Sequence, residues 1–196
     1  MNLKVRIYLV VASVLLPIAA LHAQNVAVKT NLFYGAYTKT PNIGAEFGLG
    51  NRNTLEIGAG YNPWNYKGTD TNNKKIVHLL GAAEYRYWLC EKFNGHFFGV
   101  HALGAQYNVA EYEIPLLFGK GSKAFRFEGW AAGGGISYGY QFLLGTHWNL
   151  EANIGFGYIY LKYDKYNCPK CGEKLGSAQR DYIGPTKAAL SLLYTF

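Results

Sequence analysis

The stretch Trp148-Asn149-Leu150-Glu151-Ala152-Asn153-Ile154-Gly155-Phe156-Gly157-Tyr158 alternates without a break. One parity carries Trp148, Leu150, Ala152, Ile154, Phe156 and Tyr158; the other carries Asn149, Glu151, Asn153 and two glycines. A period of two sends successive side chains to opposite faces of a β-strand. A water-soluble sandwich alternates too. Here, however, the apolar face ends in an aromatic at each end, which is the girdle pattern of a membrane barrel.

Working outward, the same alternation predicts strands at about Asn25–Tyr37, Ile43–Gly50, Thr54–Asn62, Ile76–Leu89, His96–Val109, Arg126–Leu143, Trp148–Leu161 and Tyr182–Phe196. The connections at Asn51–Asn53, Cys90–Gly95 and Leu144–His147 are short. Those at Pro63–Lys75, Ala110–Phe125 and Lys162–Asp181 are long, and Thr38–Asn42 is a short member of that second set. Long and short connections largely alternate, as in an outer-membrane barrel with long outer loops and short periplasmic turns. The expected fold is therefore all-β, an eight-stranded antiparallel transmembrane β-barrel with up-and-down topology and both termini periplasmic. The fifth strand lacks a charge to set its phase, and His96, Phe98, Val100 and His101 do not share one parity, so its register is open and a bulge is one reading of it.

Charge placement sharpens the reading. Lys29, Glu46, Glu56, Glu84, Arg86, Glu151 and Lys187 are the charges assigned to the wall, and each falls on the glycine and polar parity of its strand. That parity faces the lumen, where a charge can find a partner. On the lipid face, an Arg or Lys at mid-membrane costs about 2–4 kcal/mol. An eight-stranded barrel is just wide enough to be filled by its own side chains, so these charges are expected to form an internal network plugging the lumen.

Composition agrees by exclusion. Of 196 residues, 24 are Gly and 17 Tyr, and only 16% are charged. With 49% hydrophobic residues the chain has ample surface to bury and is not disordered. The glycines follow no triplet, which excludes collagen, and Gly and Tyr spread throughout argue against a helical bundle.

The two ends carry addresses. Lys4 and Arg6 precede an apolar run from Ile7 to Leu21, which suits an export signal and is short for a spanning helix. Residues 1–23 are expected to be a signal peptide cleaved after Ala23, leaving residues 24–196 as the barrel domain. At the other end Leu190, Leu192, Tyr194 and Phe196 share one parity and finish on an aromatic. This is the pattern of a strand read by the barrel-assembly machinery, and the expected location is the bacterial outer membrane.

Several stretches have a likeness beyond pattern: Gly60-Tyr61-Asn62-Pro63-Trp64, the run Arg86 to Gly99, Gly129-Trp130 through Gly139-Tyr140, Tyr163 to Gly172, and Tyr182 to Ala188. Together they resemble a family of uncharacterised outer-membrane proteins from Bacteroides-type bacteria, a domain of unknown function. The resemblance implies a setting near fimbrial or other surface-structure genes. It implies no activity, so no catalytic residues are carried over.

Candidate sites are few. Cys168 and Cys171, in Cys168-Pro169-Lys170-Cys171-Gly172, have the spacing of a loop disulfide or half of a tetrahedral zinc site; free thiols are the third reading. The disulfide leads, because an exported loop meets an oxidising environment. Cys90 falls in a turn at the opposite end, too far to join them. His78, His96, His101 and His147 are scattered, with no Ser at a suggestive spacing, so no nucleophile and base are paired and no cofactor is expected.

The net charge of +7 falls to +5 without Lys4 and Arg6. The outer loops and rims carry Lys39, Lys67, Lys74, Lys75, Lys120, Lys123, Arg126, Lys162, Lys165, Lys170, Lys174 and Arg180. Their acids are Asp70, Glu111, Glu113, Glu128, Asp164, Glu173 and Asp181. A basic outer rim suits outer-membrane lipids, including anionic glycolipid, or an acidic surface or fimbrial protein. Nucleic acid is not an expected partner outside the cell. Ile114-Pro115-Leu116-Leu117-Phe118 lies in the longest apolar stretch of an outer loop and reads first as folding onto its own rim, with a partner-docking edge or a lid over the barrel mouth as the alternatives.

The function expected from all this is a small non-enzymatic outer-membrane barrel that supports a surface structure through its basic loops. The alternatives are a lipid-modifying barrel enzyme and a soluble β-barrel that binds an apolar ligand.

Overall fold

The computed structural model describes residues 25–65, 74–112, 122–167 and 172–196. The expected signal peptide, Cys168 with Cys171, and Ile114–Phe118 lie outside the described residues. Eight strands close into one ring: β1 (Val26–Asn31), β2 (Asn42–Gly48), β3 (Asn53–Asn62), β4 (Lys75–Trp88), β5 (Gly95–Ala110), β6 (Arg126–Leu143), β7 (Trp148–Tyr166) and β8 (Lys174–Thr195). Each pairs antiparallel with its sequence neighbour, and β1 closes on β8 through Ala27↔Thr195 to Asn31↔Ser191. Up-and-down order puts the short turns and both ends of the barrel chain at one rim, hereafter the turn end.

Three expectations need correction. The first strand does not run to Tyr37 but stops at Asn31, where a helix α1 (Leu32–Thr38) begins. The Asn31 side chain accepts a hydrogen bond from the Tyr34 amide at 3.1 Å, a helix N-cap. Lys39, in the left-handed region at φ 53°, ends the helix, and Pro41 follows. The expected loop Lys162–Asp181 is mostly strand, because β7 and β8 continue as a tall hairpin from Trp148↔Tyr194 to Tyr166↔Lys174. Several charges assigned to loops, among them Lys162, Lys165 and Arg180, therefore stand on strands. The bulge is not in β5, whose ladders run unbroken on both sides. It is in β8, where Gly155 pairs with Lys187 and Phe156 with Pro185, leaving Thr186 as the extra residue. Pro185 has no N–H to give the ladder, which suits the irregularity.

The wall has inverted polarity. Ile136, Ile154 and Ile183 point outward at 68%, 67% and 73% exposure. Lys29, Glu46, Glu84, Arg86 and Glu151 are buried inside. In β5 the alternation is clean, with Phe98 and Val100 outward and Phe97, Gly99 and His101 inward. The sequence pattern was ambiguous because β5 carries an aromatic and a histidine on each parity. Outward aromatics gather near the turn end, where Trp148, Tyr194 and Phe196 pack edge to face at ring separations of 5.1–5.2 Å. Trp130 and Tyr160 pack toward the loop end.

Glycine permits a tight corner between β6 and β7. A Cβ on Gly135 would lie 2.2 Å from the Phe156 carbonyl oxygen, whereas one on Gly81 would meet nothing within 4 Å. Gly135→Ala is expected to lose about 1–3 kcal/mol of stability through forced backbone movement. Gly81→Ala should change little. Urea unfolding midpoints of the two variants in the same micelles check this.

Candidate functional site

The lumen is layered. At the turn end Trp88, Phe93, Phe97, Ala27 and Leu193 form a buried apolar plug, with Trp88 and Phe97 rings 4.7 Å apart. Trp88 could not be buried with a bare indole N–H, and it donates to Thr54 Oγ1 at 2.9 Å. Thr54 in turn donates to Glu46 Oε1 at 2.6 Å, which links the plug to the charged layer above.

That layer contains Lys29, Glu46, Glu56, Glu84, Arg86, Glu151 and Lys187, which the structure brings into one cluster. Strand register explains the meeting. Glu46, Glu56 and Glu84 stand side by side on β2, β3 and β4, and His101 of β5 continues the row. Like charges directly opposite one another are destabilising unless cations intervene. Arg86, fully buried, provides the main remedy. Its Nε donates to Glu84 at 2.7 Å, and Nη1 donates to Glu46 at 2.8 Å and to Glu151 at 2.7 Å. Its Nη2 reaches Glu151 at 3.0 Å and also bonds Glu56. The planar fork of one guanidinium thus serves all four carboxylates, which an ammonium cannot do. The guanidinium carbon also lies 4.4 Å from the Phe97 ring centre.

Two lysines complete the cluster from β1 and β8. Lys29 lies 2.8, 3.0 and 3.1 Å from Glu46, Glu56 and Glu151. Lys187 reaches Glu84 at 2.6 Å and Glu56 at 3.4 Å. The bulge at Thr186 lets two successive β8 residues face inward: the Thr186 hydroxyl meets His101 Nε2 at 2.8 Å while Lys187 meets the glutamates. Parity in the sequence could sort these charges to one side. It could not reveal that they share one level, nor that Thr186 and His101 join them.

The loop end is held differently. In α1 the Tyr34 hydroxyl bonds His78 Nε2, and His78 Nδ1 donates to the Ile76 carbonyl at 2.8 Å. The carbonyl can only accept, so Nδ1 carries the proton and Tyr34 is the donor to Nε2. Burial pushes the Tyr34 phenol up to about 12. On the tall hairpin, hydrogen bonds from Lys174 and Ser177 hold the Asp164 carboxyl below its ordinary range.

The other singled-out residues lie apart. His96 bonds the Tyr138 hydroxyl on the outer face at 2.6 Å, and His147 sits in a turn 2.9 Å from the Thr195 carbonyl. Cys90 is an exposed free thiol. Leu190, Leu192, Tyr194 and Phe196 follow the outward parity of β8, opposite to buried Ser191 and Leu193. Among the described residues, no group of three or more His, Cys, Asp or Glu side chains is arranged to hold a metal. His101 Nδ1 has no partner, so the His101–Thr186 pair lacks the carboxylate that orients the base in a nucleophile–base–acid chain.

Inverted polarity around a self-filled ionic lumen defines the chain as a small, closed, eight-stranded up-and-down β-barrel. Over residues 8–196 it matches the family described as Protein of unknown function (DUF3575), and it belongs to that family. No curated protein and no solved structure matches it.

Proposed function

We propose that the protein is an integral outer-membrane barrel, closed to flow, that supports a surface structure through its basic loop end. One observation carries the membrane reading: the wall exposes isoleucines and aromatics outward while turning seven charged side chains inward, five of them buried. A soluble carrier for apolar ligands needs the reverse. A closed barrel can span a bilayer with its strands, because every backbone group of the ring is paired. In this orientation the turn end and both termini are periplasmic, and the outward residues of β8 through Phe196 are what the barrel-assembly machinery reads.

The loop end is the surface for a partner. Lys74, Lys123, Arg126, Lys162, Lys165 and Lys174 cluster toward it, with Asp164 already taken by Lys174 at 2.9 Å. A cationic rim attracts phosphate groups of anionic glycolipid or an acidic surface protein such as a fimbrial component, with a strength that falls as salt rises. The partner is reached by crosslinking from Lys162 or Lys165 in intact cells.

Folded barrels resist SDS. The native protein is expected in the membrane fraction and to migrate differently before and after boiling. One unchanged band from the soluble fraction would refute the reading. In planar bilayers the plugged lumen predicts no large, stable conductance steps. Regular steps would contradict closure.

A further inference from the structure

Between the ionic cluster and α1 lies a cavity of about 290 Å³. Glu56, Lys187 and His101 form its floor, Gly58 and Leu103 line its sides, and Tyr34 of α1 lines it at the loop end. Ile43, exposed on the outer side of the wall, is also among its lining residues.

The floor is short of one positive charge. Lys29, Arg86 and Lys187 face Glu46, Glu56, Glu84 and Glu151, three cations against four carboxylates, which leaves a formal charge of −1. A buried unit charge without a counter-charge is costly. The imbalance also has an address. Glu56 is, with Lys187, the least buried member of the cluster, its side chain 15% exposed. All three of its cations meet Oε2, and among the described residues Oε1 receives no hydrogen bond. His101 is 5% exposed and aims into the same cavity. Its Nδ1 has no partner, and in the tautomer whose Nε2–H donates to the Thr186 hydroxyl at 2.8 Å that nitrogen is a second open acceptor.

Two open acceptors and a surplus negative charge call for a positively charged N–H donor. We infer that the cavity is a binding site for a small primary amine, its ammonium set between Glu56 and His101 and its apolar body against Leu103, Gly58 and Tyr34. The volume lies at the lower end of the roughly 300–1,000 Å³ typical of small-molecule pockets, which favours a short aliphatic or single-ring body. Carboxylates and phosphates are repelled by the floor. A neutral alcohol offers one donor and no charge.

The test uses the full chain refolded in detergent micelles, with n-butylamine as probe and n-butanol and butyrate as comparisons. Saturable change in the His101 ring nitrogen resonances is expected with n-butylamine alone. Glu56→Gln should weaken binding by about tenfold or more. Should Glu56→Gln fail to fold, Gly58→Leu decides. It keeps every charge and fills the cavity, and a Cβ there has its nearest neighbours at 3.6 and 3.8 Å. Gly58→Leu is expected to abolish binding while the boiled and unboiled bands still differ. Butanol binding as tightly as butylamine, non-saturable shifts, or undiminished butylamine affinity in Gly58→Leu would overturn the proposal.

Discussion

Arg86→Ala is expected to destabilise the folded barrel by about 3–5 kcal/mol, the range for removing one partner from a buried ion pair. The reason is specific to this lumen. Arg86 touches all four glutamates, and Glu46, Glu56 and Glu84 stand adjacent in register on three neighbouring strands. Without the guanidinium, Lys29 and Lys187 remain against four carboxylates, and Phe97 loses its stacked cation. Arg86→Lys keeps the charge but not the fork, so it should fall between the wild type and the alanine variant. Removing a carboxylate as well, in Arg86→Met with Glu151→Gln, returns the formal charge to −1 and should recover part of the loss. Urea unfolding in micelles measures all four proteins. An Arg86→Ala midpoint equal to the wild type would mean the cluster is not an interacting unit.

The second large effect concerns the outer face. Ile136 pairs with Val100 on one side and Phe156 on the other, between the aromatics of the two rims. Ile136→Lys is expected to cost about 2–4 kcal/mol for folding into lipid vesicles, the penalty for a Lys at mid-membrane. On a water-facing surface the same change stays within about 0.5 kcal/mol. Leu144, equally exposed but in the turn between β6 and β7, supplies the contrast: Leu144→Lys should be nearly neutral. Equal, small effects at both positions would place the outer wall in water.

Much of the barrel was legible because a period of two survives almost everywhere. From β2 to β6 the strand limits expected from alternation fall within about two residues of those observed. The misses have identifiable causes. Leu32-Phe33-Tyr34-Gly35-Ala36-Tyr37 is aromatic enough to pass for strand, and the helix depends on an Asn31 cap that also bonds Asn42 across the loop. The tall part of the β7–β8 hairpin is polar because it stands clear of the apolar band, so its residues read as loop. The β8 bulge reverses the inward parity between Gly184 and Lys187, and no local rule placed it there rather than in β5.

The ionic cluster shows a different limit. Parity assigns a face, but depth follows from ladder register, which couples residues more than a hundred positions apart, such as Lys29 and Glu151. The amine cavity was less legible still, because Glu56 Oε1 and His101 Nδ1 stand out only once every other partner is placed.

Spin-label accessibility along β7 tests the inside-out wall most directly. Nitroxides placed one at a time from Trp148 to Tyr158 in the vesicle-embedded protein report collision with membrane-dissolved oxygen against a water-soluble nickel reagent. A period of two is expected, with oxygen favoured at Ala152, Ile154 and Phe156 and both reagents excluded at Glu151 and Asn153. Nickel access at Ile154 equal to that in the Leu144–His147 turn would contradict it.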